Sequence, residues 1–204
     1  MRTGIFGGTF DPVHLGHKHC LLTVIEKVGL DRVIIMPDRI PPHKQSRDIA
    51  SPEDRVEMLR LTFSDVPYAE ISDMELKREG KSYSVITLRQ LHNDFPDDDL
   101  CFIMGSDMLL CFDKWYCWQE ILTLCTLICV SRSDDDTDKL EPFAQKLRAE
   151  GGKVIIVPVE PFEVSSTEIR KTIAGGGDCT CYLDKNVIEY IKKKNLYTRD
   201  ANDR

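Results

Sequence analysis

The chain has 204 residues, 42% hydrophobic and 30% charged, with a formal net charge of −7 at neutral pH. Such a length and composition suit one well-cored globular domain and exclude an intrinsically disordered chain. The acidic surplus excludes a surface that attracts nucleic acid or anionic membrane as a whole, so any anionic substrate must be held by a local basic cluster.

No run approaches the roughly 20 apolar residues that span a bilayer. Residues 1–6 read as a core strand and not as a leader. Eight cysteines contain no C-x-x-C pair. Cys101, Cys125 and Cys129 lie in or beside apolar runs and read as small hydrophobes of a reduced, cytoplasmic protein. A zinc site at Cys179-Thr180-Cys181 is the weaker alternative.

In chain order, residues 2–6 form a strand that runs into Gly7-Gly8, and residues 17–28 form a helix that Gly29 is suited to end. Residues 32–36 are a β-rich run closed by Pro37. Ser51, Pro52, Glu53 and Asp54 supply a cap, a first-turn proline and two acids for a helix to about Phe63. A strand is expected near residues 70–76, a helix over 84–95 and a buried strand over 100–104. Apolar runs at 124–130 and 154–157 add two more strands. The acidic clusters 97–99 and 134–136 read as solvated turns and not as metal cages. Ser165-x-x-Glu168 is a capping box that starts a helix. Gly175, Gly176 and Gly177 follow that helix, so they read as its stop and hinge and not as a phosphate loop. Residues 184–195 are expected to form a lysine-tailed helix.

Strands separated by helices imply an α/β fold, a Rossmann-like doubly wound parallel sheet with helices on both faces and a small C-terminal helical segment. One domain is expected over 1–197, with its helical C-terminal part at about 165–197 and a mobile tail over 198–204. Ligands in such sheets bind beyond the carboxyl ends of the strands.

The run from Gly4 to His17 places a glycine turn between a strand and a helix that carries His14 and His17. Glycines let backbone N–H groups approach a ligand, and a helix start favours anions. Phosphate is the indicated guest. A metal pair joined by His19, and histidines that merely pack, are the weaker alternatives. The patterns G-x-x-x-x-G-K-[ST] and G-x-G-x-x-G are both absent.

Residues 7–17 resemble the signature of the H-x-G-H nucleotidyltransferases. Four further segments resemble one branch, the bacterial nicotinate-mononucleotide adenylyltransferases. They are Pro37-Asp38-Arg39-Ile40-Pro41-Pro42-His43-Lys44, Gly80-Lys81-Ser82-Tyr83-Ser84, Gly105-Ser106-Asp107 with Lys114-Trp115-Tyr116, and Val164-Ser165-Ser166-Thr167-Glu168-Ile169-Arg170.

The resemblance implies transfer of AMP from ATP to nicotinate mononucleotide, with ATP and the mononucleotide as small-molecule partners. No nucleic-acid or membrane partner is expected, and a homo-oligomer stays open. By resemblance His14, His17, Arg170 and Lys44 are catalytic, with His17 nearest the reacting phosphorus. Gly7, Gly8, Thr9, Phe10, Gly105, Asp107, Ser166 and Thr167 would bind ATP. Ser84, Trp115, Tyr116 and Arg132 would bind nicotinate mononucleotide, Trp115 by stacking on its ring. Ser84 stands where the family commonly has threonine, keeping the hydroxyl and losing the methyl. Mg²⁺ is expected as Mg-ATP, held by phosphate oxygens and water, with no metal-ligating residue of the protein.

Blander readings stay open for single residues: a helix cap for Asp107 and for the Ser165 segment, a solvated lysine at 44, a core tryptophan at 115. Two other functions stay open as well. One is a sister nucleotidyltransferase using NMN, phosphopantetheine or another phosphorylated acceptor. The second is a nucleotide-binding sensor without catalysis.

Overall fold

The structure, a computed structural model, describes residues 1–39, 49–79, 82–131 and 134–198. Six parallel strands form one sheet: β1 (Arg2–Gly8), β2 (Arg32–Pro37), β3 (Ala69–Ile71), β4 (Asp99–Gly105), β5 (Thr126–Ser131) and β6 (Lys153–Pro158). Their order is β3-β2-β1-β4-β5-β6. The direction of winding therefore reverses between β1 and β4, which opens a crevice beyond their carboxyl ends.

Alternation along each strand supplies two cores. Phe6, Val33, Ile35, Cys101, Ile103 and Ile128 face one way. Ile5, Ile34, Met36, Leu100, Phe102, Met104, Leu127 and Cys129 face the other. The first face is covered by α1 (Leu15–Val28), α2 (Pro52–Thr62), α8 (Ser166–Ala174) and α9 (Lys185–Lys194). The second is covered by α4 (Ser84–Asp94), α5 (Ser106–Leu110), α6 (Trp118–Leu124) and α7 (Asp134–Ala149), while α3 (Met74–Lys77) is one turn after β3. This is the doubly wound α/β fold expected from the alternating elements. Gly29, at φ 70°, ends α1, and Ser51 caps α2 by accepting from the Asp54 N–H. Gly175 ends α8, and Gly176, at φ 72°, turns the chain away.

Four expectations need correction. The strand expected over 70–76 is only three residues long, because the chain leaves the sheet at Ser72 and starts α3. Residues 134–136 begin α7 and are not a turn. Asp98 is no solvated turn residue: it pairs with Arg32 at 2.8 Å and accepts from the Thr3 hydroxyl at 2.6 Å. Helix α1 starts at Leu15 and not at 17, since His14 itself is its cap.

None of the eight cysteines, all within the described residues, is in a disulfide. Burial pushes the Cys101 thiol up to about 11 and that of Cys125 higher still, as fits inert core thiols. Among the described residues, no group of three or more His, Cys, Asp or Glu could hold a metal, Cys179 and Cys181 included. No helix among them is long and apolar enough to cross a membrane.

Candidate functional site

A cavity of about 930 Å³ opens at the reversal point, and His14, His17, Gly105 and Ser166 line it. Phe6 of β1 and His14, Gly16 and His17 at the start of α1 line one part of it. A Cβ on Gly8 would meet the Phe10 ring at 3.0 Å, so that ring seats directly on the glycine. A Cβ on Gly7 or Gly105 would meet nothing within 4 Å, so both strand ends leave room for a close ligand. Phe10 adopts φ 49° and turns its buried ring against Phe6 and edge-on to His17.

The two histidines cap α1 reciprocally. His14 Nδ1 accepts the His17 N–H at 3.3 Å, and His17 Nδ1 accepts the His14 N–H at 3.2 Å. This is a capping box in which imidazoles replace the usual hydroxyl and carboxylate. The i, i+3 spacing follows from it, and so does the glycine between them. A Cβ on Gly16 would lie 3.0 Å from His14 Nδ1 and 3.2 Å from the Phe162 ring. With Nδ1 an acceptor in each ring, the proton sits on Nε2, which leaves one N–H donor per ring. The rings stack at 3.7 Å.

Desolvation lowers His14 to about 4; desolvation and then the neighbouring His14 lower His17 to about 3. Both therefore act as neutral donors at physiological pH. The unfolded histidines, near 6.5, take up protons that the folded ones refuse. Stability should thus fall as pH drops below about 6.5, by about 1.4 kcal/mol per pH unit for each histidine, and level off only near 4 and 3. Urea midpoints measured from pH 7 to pH 5 should drop, with about half that slope missing in His17→Gln. A midpoint insensitive to pH would contradict the buried neutral pair.

Helix α8 closes the opposite side. Ser165 accepts the Glu168 N–H, and the Glu168 carboxylate accepts the Ser165 N–H at 2.9 Å, the expected box. The Ser166 hydroxyl donates to the Pro12 carbonyl at 2.9 Å and bolts the helix start to the histidine loop. Arg170 Nη1 donates to the Asp11 carbonyl at 2.6 Å, and its Nη2 donates to Thr167 Oγ1 at 3.4 Å. Thr9 uses its hydroxyl on Asp38 Oδ2 at 3.0 Å, so that hydroxyl is spent within the protein.

The described cavity lining contains Glu160, Glu163 and Glu168 but no lysine or arginine. Among the described residues the expected basic cluster is not in the lining; Arg170 bonds the Asp11 carbonyl instead, while His14 and His17 line the cavity. Asp107, exposed, is the second residue of α5 and not its cap, which is Gly105. Trp115 is half-buried, tilted against Phe112 at 5.4 Å and edge-on to Phe102 at 6.0 Å. The rings of Tyr83 and the exposed Tyr116 meet at 4.7 Å, which joins the Ser84 and Trp115 segments. Lys44 and Arg132 lie outside the described residues.

Sequence reasoning missed Arg55. It is 1% exposed, donates to the Thr9 carbonyl at 2.7 Å and the Asp38 carbonyl at 3.0 Å, and lies 3.7 Å from Asp38 Oδ1. Its guanidinium fixes the histidine loop to the end of β2. The available signal was its phase beside Val56, Met58 and Leu59 on the buried stripe of α2.

Two neutral imidazole donors at the reversal point of a parallel sheet, with Arg55 and Arg170 behind the loop, suit an α/β protein that binds an anion there. A profile of the cytidylyltransferase-like family matches residues 5–172. The "probable nicotinate-nucleotide adenylyltransferase" of Shewanella woodyi is 39% identical over 97% of this chain and 99% of its own. The protein of that name from Shewanella sediminis is 38% identical over 98% and 100%. A solved structure of Plasmodium falciparum nicotinic acid mononucleotide adenylyltransferase complexed with NaAD superposes with a TM-score of 0.75 at 19% identity, covering 96% of this chain and 97% of that one. At that identity the likeness is one of fold. The chain belongs to the cytidylyltransferase-like family and, within it, to the nicotinate-nucleotide adenylyltransferases.

Proposed function

We propose that the protein transfers AMP from ATP to nicotinate mononucleotide, giving deamido-NAD and pyrophosphate in NAD biosynthesis. A phosphate oxygen of the mononucleotide attacks the α-phosphorus of ATP; the bond to the β-phosphate oxygen breaks and pyrophosphate leaves. The nucleophile is already largely ionised at pH 7, with a second pKa near 6, so no general base is required. What remains is to hold two anions in line and to stabilise charge as pyrophosphate departs.

The reciprocal histidine cap carries this reading. It fixes two imidazoles with their Nε2 donors free at the mouth of a helix, beside strand ends without side chains. We assign His14 and His17 to the ATP phosphates, with His17 nearest the α-phosphorus, and Arg170 with the α8 start to the departing pyrophosphate. The Gly7–Gly8 backbone and Gly105 give ATP its close approach. Trp115, Tyr116 and Ser84 are assigned to the acceptor, where an aromatic face suits a pyridinium ring. Mg²⁺ would travel on ATP, with phosphate oxygens and water assigned as its ligands. Eight cysteines without a disulfide suit a reducing cytoplasm.

Purified protein with Mg-ATP should release pyrophosphate with nicotinate mononucleotide, and more slowly with nicotinamide mononucleotide. Release only with phosphopantetheine or another acceptor would reassign it to a sister enzyme, and ATP binding without release would make it a sensor. Trp115→Ala should raise the KM for the mononucleotide about tenfold, with little change for ATP. Equal effects on both substrates would remove the stacking role.

A further inference from the structure

Behind the histidine loop lies a polar cluster that the reaction as described does not use. Asp11 is 2% exposed. Its Oδ1 accepts from the Ala50 N–H at 2.9 Å and from the Tyr197 hydroxyl at 2.7 Å. Its Oδ2 is buried without a hydrogen bond, 3.6 Å from Arg170 Nη1, while the Asp11 carbonyl takes the 2.6 Å bond from that same nitrogen. One residue thus joins the loop, the segment before α2, the arginine of α8 and the chain beyond α9.

Two features set this apart from ordinary surface ties. A buried carboxylate contributes little net stability, and an apolar filling would serve packing as well or better. In addition, Tyr197 holds its hydroxyl in place from a left-handed backbone at φ 61°, two residues after Asn195 at φ 52°. A tyrosine pays for such a conformation unless its surroundings impose it. Burial, and then the facing Asp11 carboxylate, push the Tyr197 hydroxyl well above its ordinary range, so it remains a donor.

We propose that Asp11 and Tyr197 are positioning residues for adenylyl transfer. The Tyr197 hydroxyl orients the Asp11 carboxylate, and Asp11 holds the Arg170 guanidinium against the loop at the angle that meets the departing pyrophosphate. The C-terminal Tyr197 is therefore part of the site's support, although the cavity lining does not include it. This inference rests on the adenylyl-transfer reading.

The test compares two tyrosines at the same end of the chain, each donating to an aspartate. Tyr190 donates to Asp54 Oδ1 at 2.8 Å, away from the loop. Tyr197→Phe should lower kcat about tenfold with the KM for the mononucleotide within about twofold, whereas Tyr190→Phe should leave both within about twofold. Each variant loses one part-buried tyrosine–aspartate hydrogen bond, and thermal melts of both separate a loss of turnover from a loss of stability. In an Arg170→Ala background, Tyr197→Phe should lower kcat by less than about twofold further, because the group it orients is gone. A Tyr197→Phe enzyme that behaves like Tyr190→Phe overturns the proposal, as does a full tenfold loss in the Arg170→Ala background. Should the wild-type protein transfer nothing to nicotinate mononucleotide, the functional reading fails separately. Calorimetric titration with a non-hydrolysable ATP analogue then decides the positioning role. Affinity several-fold weaker in Tyr197→Phe alone supports it, and equal affinities in both variants reject it.

Discussion

His17→Ala should lower kcat by at least about a thousandfold while the protein remains folded, since one lost transition-state donor already costs 10²–10³. The expectation exceeds the loss of one donor because of the reciprocal cap. His17 also accepts the His14 N–H and stacks on the His14 ring at 3.7 Å, so its removal frees the second imidazole as well. His14→Asn separates the two jobs. Asparagine caps helices as well as any residue, so α1 should keep its start, and a urea midpoint close to wild type is expected. Turnover should still collapse, because the imidazole donor is gone. Pyrophosphate release and urea unfolding measure both quantities; a His14→Asn enzyme with wild-type turnover would reduce the motif to a helix cap.

The second large effect is expected at Arg170. Arg170→Ala should cost about a hundredfold in kcat, the scale of losing a group that meets charge developing on transferred phosphates. It should also destabilise the fold, since it unties α8 from the Asp11 carbonyl and leaves the buried Asp11 carboxylate facing one cation fewer. Arg170→Lys tells the two apart. A lysine ammonium can restore charge near Asp11, but it lacks the fork that serves the loop and Thr167 at once. Its urea midpoint should recover most of the loss while kcat recovers little. Recovery of both together would mean that Arg170 acts only as a bolt.

The misses in reading the sequence have local causes. Ser72 and Asp73 end β3 early, because the chain passes there from sheet to the start of α3. The chain from 134 is not a turn but helix α7, which runs through Pro142 with Leu140, Ala144 and Leu147 fully buried against the sheet. Tertiary packing outweighs a local propensity there. Arg55 goes unweighed because the loop carbonyls that take its donors are distant in sequence.

Short-range pattern was enough for the class of fold, and it also marked where a candidate anion site would lie. Strands separated by helices require a parallel sheet wound on both faces, alternating strand residues serve its two cores, and a glycine turn before a histidine-bearing helix marks where an anion would sit. These follow from contacts between residues a few positions apart. Which donors are free and which are spent was decided by the assembled chain. Thr9 gives its hydroxyl to Asp38, Arg170 gives a nitrogen to Asp11, and Tyr197 reaches Asp11 across 186 positions. A buried polar group takes whichever partner the fold brings within about 3 Å, and sequence order does not encode that distance.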